Sequence, residues 1–501
     1  MKSWIPSAVL YQINLRSLAH REPRNAFEAA REKPLDESPL VYVSRNLRAI
    51  KQLGATVLYF MPPYPIGHAE RKGIGSPYSI RDFKAIEPEY GTLEEMKALV
   101  RKAHSMGLKV IFDITPNHTS RDHVWIEQHP EYYVKRDDGS IFYDADWSDT
   151  AKLDYHQPAL REAMTSVYRY WLSFLGESEE GQPDGVDGFR LDMAHFINDK
   201  GYWDEAMPQL KAAHPERELL FLAECYGLDN NVDLFNRGIN AAYDDDFYKN
   251  CLYFYGIDEQ FASHILPEQG LEHKGDFRDR YEAFVSGGIA AAFERALLNY
   301  EERYGRDKNA PHLARYTDNH DEGRGTYLFG EQAIRAVNEL IFLSPHTLPF
   351  LLTGQEFGAL NRPPIHDRLN PIGKQRRIRT NEGYRVQEAV EFEGNVFLRG
   401  VTQRQNLYDF YRTLIKLRTS SPVLARGSFE LIDAGEETPD GKRSVIAFRR
   451  SLGRKSWQCF INLGPEPRSL HKAKALTGPT IYGHLDSDGT LAPFSSWVVE
   501  A

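Results

Sequence analysis

The stretch that decides the fold is KVIFDITPNH at residues 109–118. Its first six residues form an almost unbroken apolar run, and a Thr-Pro turn follows. Such runs are typical of strands that are buried on both faces, as in parallel sheets covered by helices. In parallel barrels the chemistry lies at the carboxyl ends of the strands. Polar residues such as Asp113 and His118 are therefore expected near a functional mouth.

Seven further runs of this kind alternate with stretches of helical period, which predicts repeated βα units. In one of these helices, LEEMKALVRKAHSM, Thr92 and Glu95 predict a capping box and Gly107 predicts the end. Eight units predict a (β/α)8 barrel. The predicted strands are Val9–Ile13, Thr56–Met61, Lys109–Ile114, Val186–Leu191, Leu219–Ala223, Ile239–Tyr243, His312–Thr317 and Thr347–Leu352.

Two segments depart from this alternation. Residues 118–160 are too many for a plain βα loop and are rich in His, Asp, Tyr and Trp, which predicts an insertion domain after the third strand. Residues 421–501 read as short alternating strands, which predicts a C-terminal β-sandwich domain. The barrel then comprises 1–117 and 161–420. The predicted fold class is α/β, a TIM barrel with an insertion and a C-terminal antiparallel β domain.

The composition excludes several classes of protein. With 501 residues, 41% of them hydrophobic and 26% charged, the chain is typical of a large globular protein. Its net charge of −10 lacks the basic footprint of a nucleic-acid binder. We expect no membrane span and no export signal in the given sequence, because the necessary apolar segments are missing. Three widely spaced cysteines fit a reducing compartment, so we expect a cytoplasmic location.

Charged side chains follow four of the predicted strands. A lone aspartate after a strand is usually a turn former or a helix cap. That reading does not explain a glutamate inside the apolar run LLFLAECY, or Arg190 two residues before Asp192 on the same face of a strand. Residues expected at one common mouth are Asp113, Asn117, His118, Arg190, Asp192, Glu224, Asp318, His320 and Asp321.

Three converging carboxylates suit glycoside hydrolysis, in which one carboxylate attacks the anomeric carbon and another protonates the leaving oxygen. Arg190 is expected to lower the pKa of Asp192. Burial and neighbouring carboxylates are expected to raise the pKa of Glu224. This division predicts Asp192 as the nucleophile and Glu224 as the general acid/base.

The blocks DITPNH, GFRLDMAHF, FLAE and DNHD resemble, in this order, four regions of the α-amylase family, glycoside hydrolase family 13. VLYQINLRS, GSPYSIRDFKAIEPEYGT and TLPFLLTGQEFGA are similar to further parts of its barrel. The resemblance implies Asp192 as nucleophile, Glu224 as acid/base and Asp321 as the carboxylate that stabilises the transition state. It also implies a substrate-binding set of Tyr78, which would stack on a sugar, with His118, Arg190, His195 and His320.

Some positions depart from the family pattern. Ser79 stands where many α-glucosidases have an aspartate that binds a terminal sugar, which argues against exo-acting glucosidase activity. His195-Phe196 replaces a Lys-His pair of many amylases, so acceptor binding is expected to differ. The basic segment 361–385 matches no family pattern. It is either a phosphate-binding loop or, as we favour, a solvated basic surface.

No cofactor is expected to be required, although the resemblance allows calcium. Family members often bind this ion through an asparagine at the position of Asn117 and aspartates of the insertion. Asp144, Asp146 and Asp149 could supply such oxygen ligands. Clustered aspartates also form ordinary Asx turns, so the alternative without a metal stays open.

The sequence therefore predicts a retaining hydrolase whose partner is an α-1,4-linked glucan or malto-oligosaccharide. A glycosyltransferase or maltosyltransferase of the same family is the first alternative. An inert carbohydrate-binding scaffold is a remote one, because all three carboxylates are present. A zinc hydrolase is disfavoured, since YQIN replaces a His-x-His motif and neither CxxC nor HExxH occurs.

Overall fold

Eight short parallel strands close into a barrel, as predicted. Each strand pairs with its neighbours in sequence, and β1 pairs with β8 to close the ring, with Leu10 opposite Phe350. The predicted strand ends are correct to within two residues. The strands are β1 Leu10–Ile13, β2 Val57–Phe60, β3 Lys109–Ile114, β4 Gly188–Leu191, β5 Leu220–Ala223, β6 Ala241–Tyr243, β7 His312–Arg315 and β8 Thr347–Leu352.

This computed structural model describes residues 3–18, 37–178, 181–256, 287–305, 307, 309–359, 365, 405–436, 438 and 440–501, with the backbone of 376–380 and 383–387. Most of the basic segment 361–385 lies outside the described residues, so both interpretations of it stay predictions. The described part of it contributes to an antiparallel hairpin of Arg376–Thr380 and Gly383–Gln387, which the sequence analysis did not predict.

Helices cover the outside of the barrel. The helix Leu93–Ser105 begins with the predicted capping box, in which Thr92 and Glu95 each accept from the other's backbone N–H. In the described part of the chain, no helix combines the length and apolar character needed to span a bilayer. The α-helices are Pro39–Leu53, Leu93–Ser105, Val124–Gln128, Pro158–Ser173, Gly201–Ala213, Leu228–Asn236, Asp245–Tyr255, Gly288–Tyr304, Gly325–Leu328, Glu331–Leu343, Gln405–Ser420 and Pro422–Arg426.

Strand β4, which carries Arg190, begins at a position that requires glycine. Gly188 has φ of 150°, and a Cβ atom there would lie 1.9 Å from the carbonyl oxygen of Leu220 on β5. A side chain would therefore push β4 and β5 apart. The close approach keeps β4 in register with β5, with Arg190 opposite Leu222.

Aromatic side chains fill the barrel. Phe350 of β8 packs against Tyr59, Tyr243 and Tyr316, with ring centroids 5.6, 6.0 and 5.7 Å apart. The guanidinium of Arg190 lies 5.4 Å from the ring of Tyr243. This packed layer forms a rigid floor for the polar groups at the carboxyl ends of the strands.

Two smaller regions flank the barrel. Between β3 and β4, the strand His118–Ser120 pairs with Thr150–Lys152 inside the predicted insertion. The C-terminal part is a five-stranded antiparallel sheet in the order β9-β10-β11-β13-β12. The domain limits themselves stay a prediction. The strands of this sheet are β9 Ser428–Leu431, β10 Val445–Leu452, β11 Lys455–Asn462, β12 Thr480–Gly483 and β13 Ser496–Glu500.

Strand β12 has only a weak sequence signal, because TIYG is a short run without clear alternation. The sheet packs on the barrel helix Glu331–Leu343, where the Tyr482 hydroxyl donates to Glu339 at 2.7 Å and Arg450 donates to the carbonyl of Leu343 at 2.8 Å. The three cysteines of the chain are buried and unpaired.

A charged cluster lies at the start of β4, away from the strand ends that carry the proposed chemistry. The buried carboxylate of Asp187 contacts His104 Nε2 at 2.8 Å and Lys109 Nζ at 2.9 Å, and accepts from the backbone N–H of Val110. Burial alone would lower the pKa of His104, but the carboxylates of Asp184 and Asp187 outweigh burial and raise that pKa to about 9.

A His104→Gln variant should therefore lose about 1 kcal/mol of the free energy of unfolding below the ordinary histidine pKa of 6.5. The native pKa is raised, so the stabilisation is present at low pH and disappears as the pH rises through about 9. Urea titrations across this range measure the difference, with exposed His484→Gln as the control. A difference between wild type and variant that does not change with pH would contradict the expectation.

Candidate active site

One buried guanidinium connects three strand ends. Arg190 Nη1 lies 3.0 Å from Asp113 Oδ1 and 2.6 Å from Asp192 Oδ1, and Arg190 Nη2 lies 3.0 Å from Glu224 Oε2. The side chains of Arg190 and Asp113 are fully buried. Strand alternation puts Arg190 and Asp192 on one face of β4, as predicted. The structure thus brings together carboxylates at the carboxyl ends of β3, β4 and β5.

Glu224 collects more donors than Asp192. The Tyr226 hydroxyl donates to Glu224 Oε1 at 2.7 Å, and the backbone N–H of Met193 donates to Glu224 Oε2 at 2.9 Å. Met193 has φ of 47°, in the left-handed region that costs a non-glycine residue about 1 kcal/mol. This unusual turn directly after Asp192 aims the amide of Met193 at the neighbouring carboxylate.

The expected division of pKa values between the two carboxyl groups is wrong. Burial raises the pKa of Asp192, and the adjacent Glu224 raises it further, which outweighs the contribution of Arg190. Burial acts on Glu224 too, but Arg190, the Tyr226 hydroxyl and the Met193 amide lower its pKa to about 2. The sequence analysis did not anticipate that one guanidinium serves both carboxylates, or that further donors gather on Glu224.

Tyr78, His320 and Asp321 form a second group of side chains, which contacts the Arg190 cluster through Asp113. The rings of Tyr78 and His320 are stacked with centroids 5.5 Å apart, and the Tyr78 hydroxyl donates to Asp113 Oδ2 at 2.9 Å. His320 Nε2 lies 3.0 Å from Asp321 Oδ2, whose side chain is 40% exposed. Burial raises the pKa of Tyr226, and the charges of both Glu224 and Asp321 add to this. Asp321 therefore joins the site through His320, whose ring stacks on that of Tyr78.

Asn117 and His118 lie where the segment after β3 enters the insertion. The His118 ring packs 5.6 Å from that of Trp147, and burial together with Lys152 lowers its pKa to about 4, so it is neutral at neutral pH. Asn117 Oδ1 accepts from Lys152 Nζ at 2.6 Å, and Asn117 Nδ2 donates to Asp144 Oδ2 at 2.9 Å.

The suggested calcium ligands do not gather around Asn117. Asp144 reaches it, but Asp149 lies 4.0 Å from Lys72 Nζ and the Asp146 carbonyl accepts from the same lysine. Within the described ranges, no group of three or more His, Cys, Asp or Glu side chains could hold a metal. The groups around Asn117 fit an ammonium ion better than a dication.

His195 lines a cavity of about 880 Å³ beside Glu224. Its ring is perpendicular to those of Phe196 and Tyr226, and Phe196 is 44% exposed. Burial lowers the pKa of His195. The cavity is also lined by polar side chains, among them Asn230, Asp246, Lys249 and Asn299. A mixture of an exposed ring with amides and carboxylates suits a polyhydroxylated molecule.

Ser79 is buried, and its hydroxyl donates to the carbonyl of Asp149 at 2.9 Å. It ties the insertion to the loop after β2. Of the other residues expected at the mouth, Asp318 lies in a separate cluster, because its side chain accepts from Thr317 and lies 3.7 Å from Arg324.

Several groups of the site were missed by the sequence analysis. Tyr59 donates to Asp113 at 2.6 Å, and Gln12 Nε2 lies 2.9 Å from His320 Nδ1. Both lie on apolar strands, where their spacing alone could have suggested an inward direction. Tyr226 lies beyond the end of β5, where strand alternation no longer predicts a direction. No sequence pattern pointed to Lys152, since Asn117 and Phe196, which accept its hydrogen bonds, are distant in sequence.

The chain is similar to several known proteins. The sequence profile described as "Alpha amylase, catalytic domain" matches residues 40–218. The chain is 24% identical over 482 residues to Alpha-amylase 3 of Dictyoglomus thermophilum, covering 90% of this chain and 83% of that protein. It is 23% identical over 518 residues to a probable oligo-1,6-glucosidase of Bacillus subtilis, covering 86% of each.

A shorter match is to a protein named as a transferase rather than a hydrolase. Over 203 residues the chain is 33% identical to the α-1,4-glucan:maltose-1-phosphate maltosyltransferase of Rhodospirillum rubrum, which covers 36% of this chain and 28% of that protein.

Two solved structures share the fold. An α-amylase from Lactobacillus plantarum superposes with a TM-score of 0.67 at 23% identity, covering 99% of both chains. The Nostoc punctiforme debranching enzyme, soaked with acarbose, gives a TM-score of 0.69 at 20% identity, covering 100% of this chain and 99% of that one. The profile over residues 40–218 and the two long relatives show that the chain is similar to the α-amylase family, and the two solved structures show that it has the same fold.

Proposed function

We propose that this protein is a retaining glycoside hydrolase that cleaves α-1,4-linked glucans or malto-oligosaccharides through a covalent glycosyl-enzyme intermediate. The observation that carries the proposal is the Arg190 guanidinium, which contacts Asp192 and Glu224 at the same time. Two carboxylates this close, with a third nearby, suit attack from one side and protonation from the other. Similarity to the α-amylase family supports an enzyme of this class.

In the first step, an Asp192 oxygen attacks the anomeric carbon while the glycosidic C–O bond breaks and Glu224 gives its proton to the leaving oxygen. In the second step, Glu224 takes a proton from water, whose oxygen attacks the same carbon and releases Asp192. Asp321 stabilises the positive charge that develops on the sugar in both steps. Such charge stabilisation is strongest in a buried site of preorganised groups.

Burial and the charge of Glu224 raise the pKa of Asp192, which favours a proton on Asp192 before substrate binds, whereas the first step needs that proton on Glu224. Positive charge at the anomeric carbon favours an ionised Asp192, and a glycosidic oxygen near Glu224 favours its protonated form. Arg190 contacts both groups, so it compensates whichever one is ionised. In this proposal, substrate binding therefore leaves Asp192 ionised as the nucleophile and Glu224 protonated as the acid.

The remaining predicted residues bind the substrate in this proposal. Tyr78 offers a ring face to the apolar side of a pyranose, and His118, Arg190 and His320 hydrogen-bond to hydroxyls around the attacked ring. His195 contacts the sugar on the acceptor side. The neutral form of His118, supported by its pKa of about 4, can accept as well as donate hydrogen bonds.

Transfer to a second sugar is the alternative, and the cavity beside Glu224 favours it. An acceptor bound against the exposed ring of Phe196 would compete with water for the glycosyl-enzyme. Local similarity to maltosyltransferases is a further reason to test it.

Asp192→Asn should reduce hydrolysis of maltotriose to background, because an amide cannot form the glycosyl-enzyme. Glu224→Gln should lower kcat roughly 10²–10⁴-fold on maltotriose but far less on an activated aryl glycoside, which needs little protonation. Asp137→Asn, on the exposed surface of the insertion, is the control. If Glu224→Gln slowed both substrates alike in the glycosylation step, Glu224 would not be the acid.

Tyr226→Phe removes one donor from Glu224 and should raise the pKa of its carboxyl group. The carboxyl pair of Asp192 and Glu224 then keeps its proton to higher pH, with a larger share on Glu224, so the basic limb of the kcat/KM profile should move up by as much as about one pH unit. The profile with maltotriose measures this shift. A shift toward lower pH would contradict the assigned hydrogen bond.

Separation of the products of maltotriose distinguishes hydrolysis from transfer. Glucose and maltose alone, with initial retention of the α-anomer by NMR, are expected for the proposed hydrolase. Longer oligomers indicate a transferase. A sugar phosphate formed only when phosphate is added would instead support the phosphate-binding interpretation of segment 361–385.

A further inference from the structure

Lys152 lies at the junction of three segments. It stands opposite His118 in the two-stranded sheet of the insertion, and its side chain is 7% exposed. Its Nζ atom donates to Asn117 Oδ1 at 2.6 Å, to Asp144 Oδ2 at 2.8 Å and to the carbonyl oxygen of Phe196 at 2.8 Å. An ammonium group has three N–H donors, and all three are used here.

The three acceptors are an amide oxygen, a carboxylate and a backbone carbonyl. These are the oxygen ligands that calcium prefers, and calcium needs six to eight of them. The ammonium group lies within hydrogen-bond distance of all three, so a metal ion could not share its position. One carboxylate, Asp144, also balances one positive charge rather than two.

We infer that the ammonium group of Lys152 takes the structural place of a calcium ion in this chain, so that the insertion and the loop after β4 are held together without a metal. Asn117 follows β3, Asp144 belongs to the insertion, and Phe196 follows Asp192 by four residues. A single buried cation therefore fixes the positions of these three segments relative to one another.

The same contact makes Lys152 a positioning residue for the acceptor side, a part of the inference that rests on the proposed function. Through the Phe196 carbonyl it holds the backbone whose side chains, His195 and Phe196, line the cavity. Lys152 is assigned no contact with the reacting atoms. Its loss should change where an acceptor binds without removing any of the catalytic carboxylates.

Thermal melting of the whole protein tests whether the junction at Lys152 is stable without a metal, and it does so independently of any activity. Wild type should have the same Tm in EGTA and in millimolar calcium chloride, and equilibrium dialysis with calcium should show no tight site. Lys152→Ala should lower the Tm by several degrees in EGTA, because Asp144 is left without its cation. Calcium should restore part of that loss, since the alanine frees three oxygen ligands. The exposed Lys135→Ala is the matched control.

A Tm of wild type that falls in EGTA and recovers with calcium, or tight calcium binding by wild type, would overturn the inference even if Lys152→Ala fails to fold. The positioning role of Lys152 is tested at a temperature below the Tm of the variant. The measured quantity is the ratio of transfer products to hydrolysis products formed from maltotriose. This ratio should change several-fold in Lys152→Ala, whereas cleavage of an aryl glycoside changes less. Equal losses in both reactions would mean a structural role alone.

Discussion

The contacts of Arg190 are the constraint on which the rest of the site depends. A fully buried guanidinium needs compensating negative charge, and the ends of β3, β4 and β5 supply three carboxylates for it. None of these acids could be buried so deeply without the cation, and the cation could not be buried without them. Two features keep the cluster in one geometry. Gly188 holds β4 in register with β5, and the aromatic side chains around Phe350 form a rigid floor below the cluster.

Three acids around one cation leave an excess of negative charge, and this excess governs the chemistry. Burial also raises the pKa of Asp113, to about 6, so the cluster favours the uptake of protons. The distribution of hydrogen-bond donors then decides which group is protonated. Tyr226 and Met193 stabilise the anion of Glu224, and only a positive charge on the sugar side reverses the preference. In the proposed reaction, the bound substrate therefore shifts the proton from Asp192 to Glu224.

The barrel could be predicted from the sequence because strands buried on both faces leave apolar runs that need no tertiary information. Arg190 and Asp192 could be placed on one face for a similar reason, since strand alternation is a local property. The pKa division could not be predicted, because it depends on Tyr226, Met193 and the shared guanidinium, whose distances to Glu224 come from packing. Lys152 was missed for the same reason, since Asn117 and Phe196 approach it only in the folded chain.

Closure of the ring has a consequence for how the enzyme is made. The site draws on residues from Gln12, at the end of β1, to Asp321, beyond β7, and the ring closes only when β8 pairs with β1. A nascent chain that ends before Leu352 lacks that pairing, so Gln12 and His320 have no fixed distance. The proposed site is therefore complete only after the last barrel strand has left the ribosome.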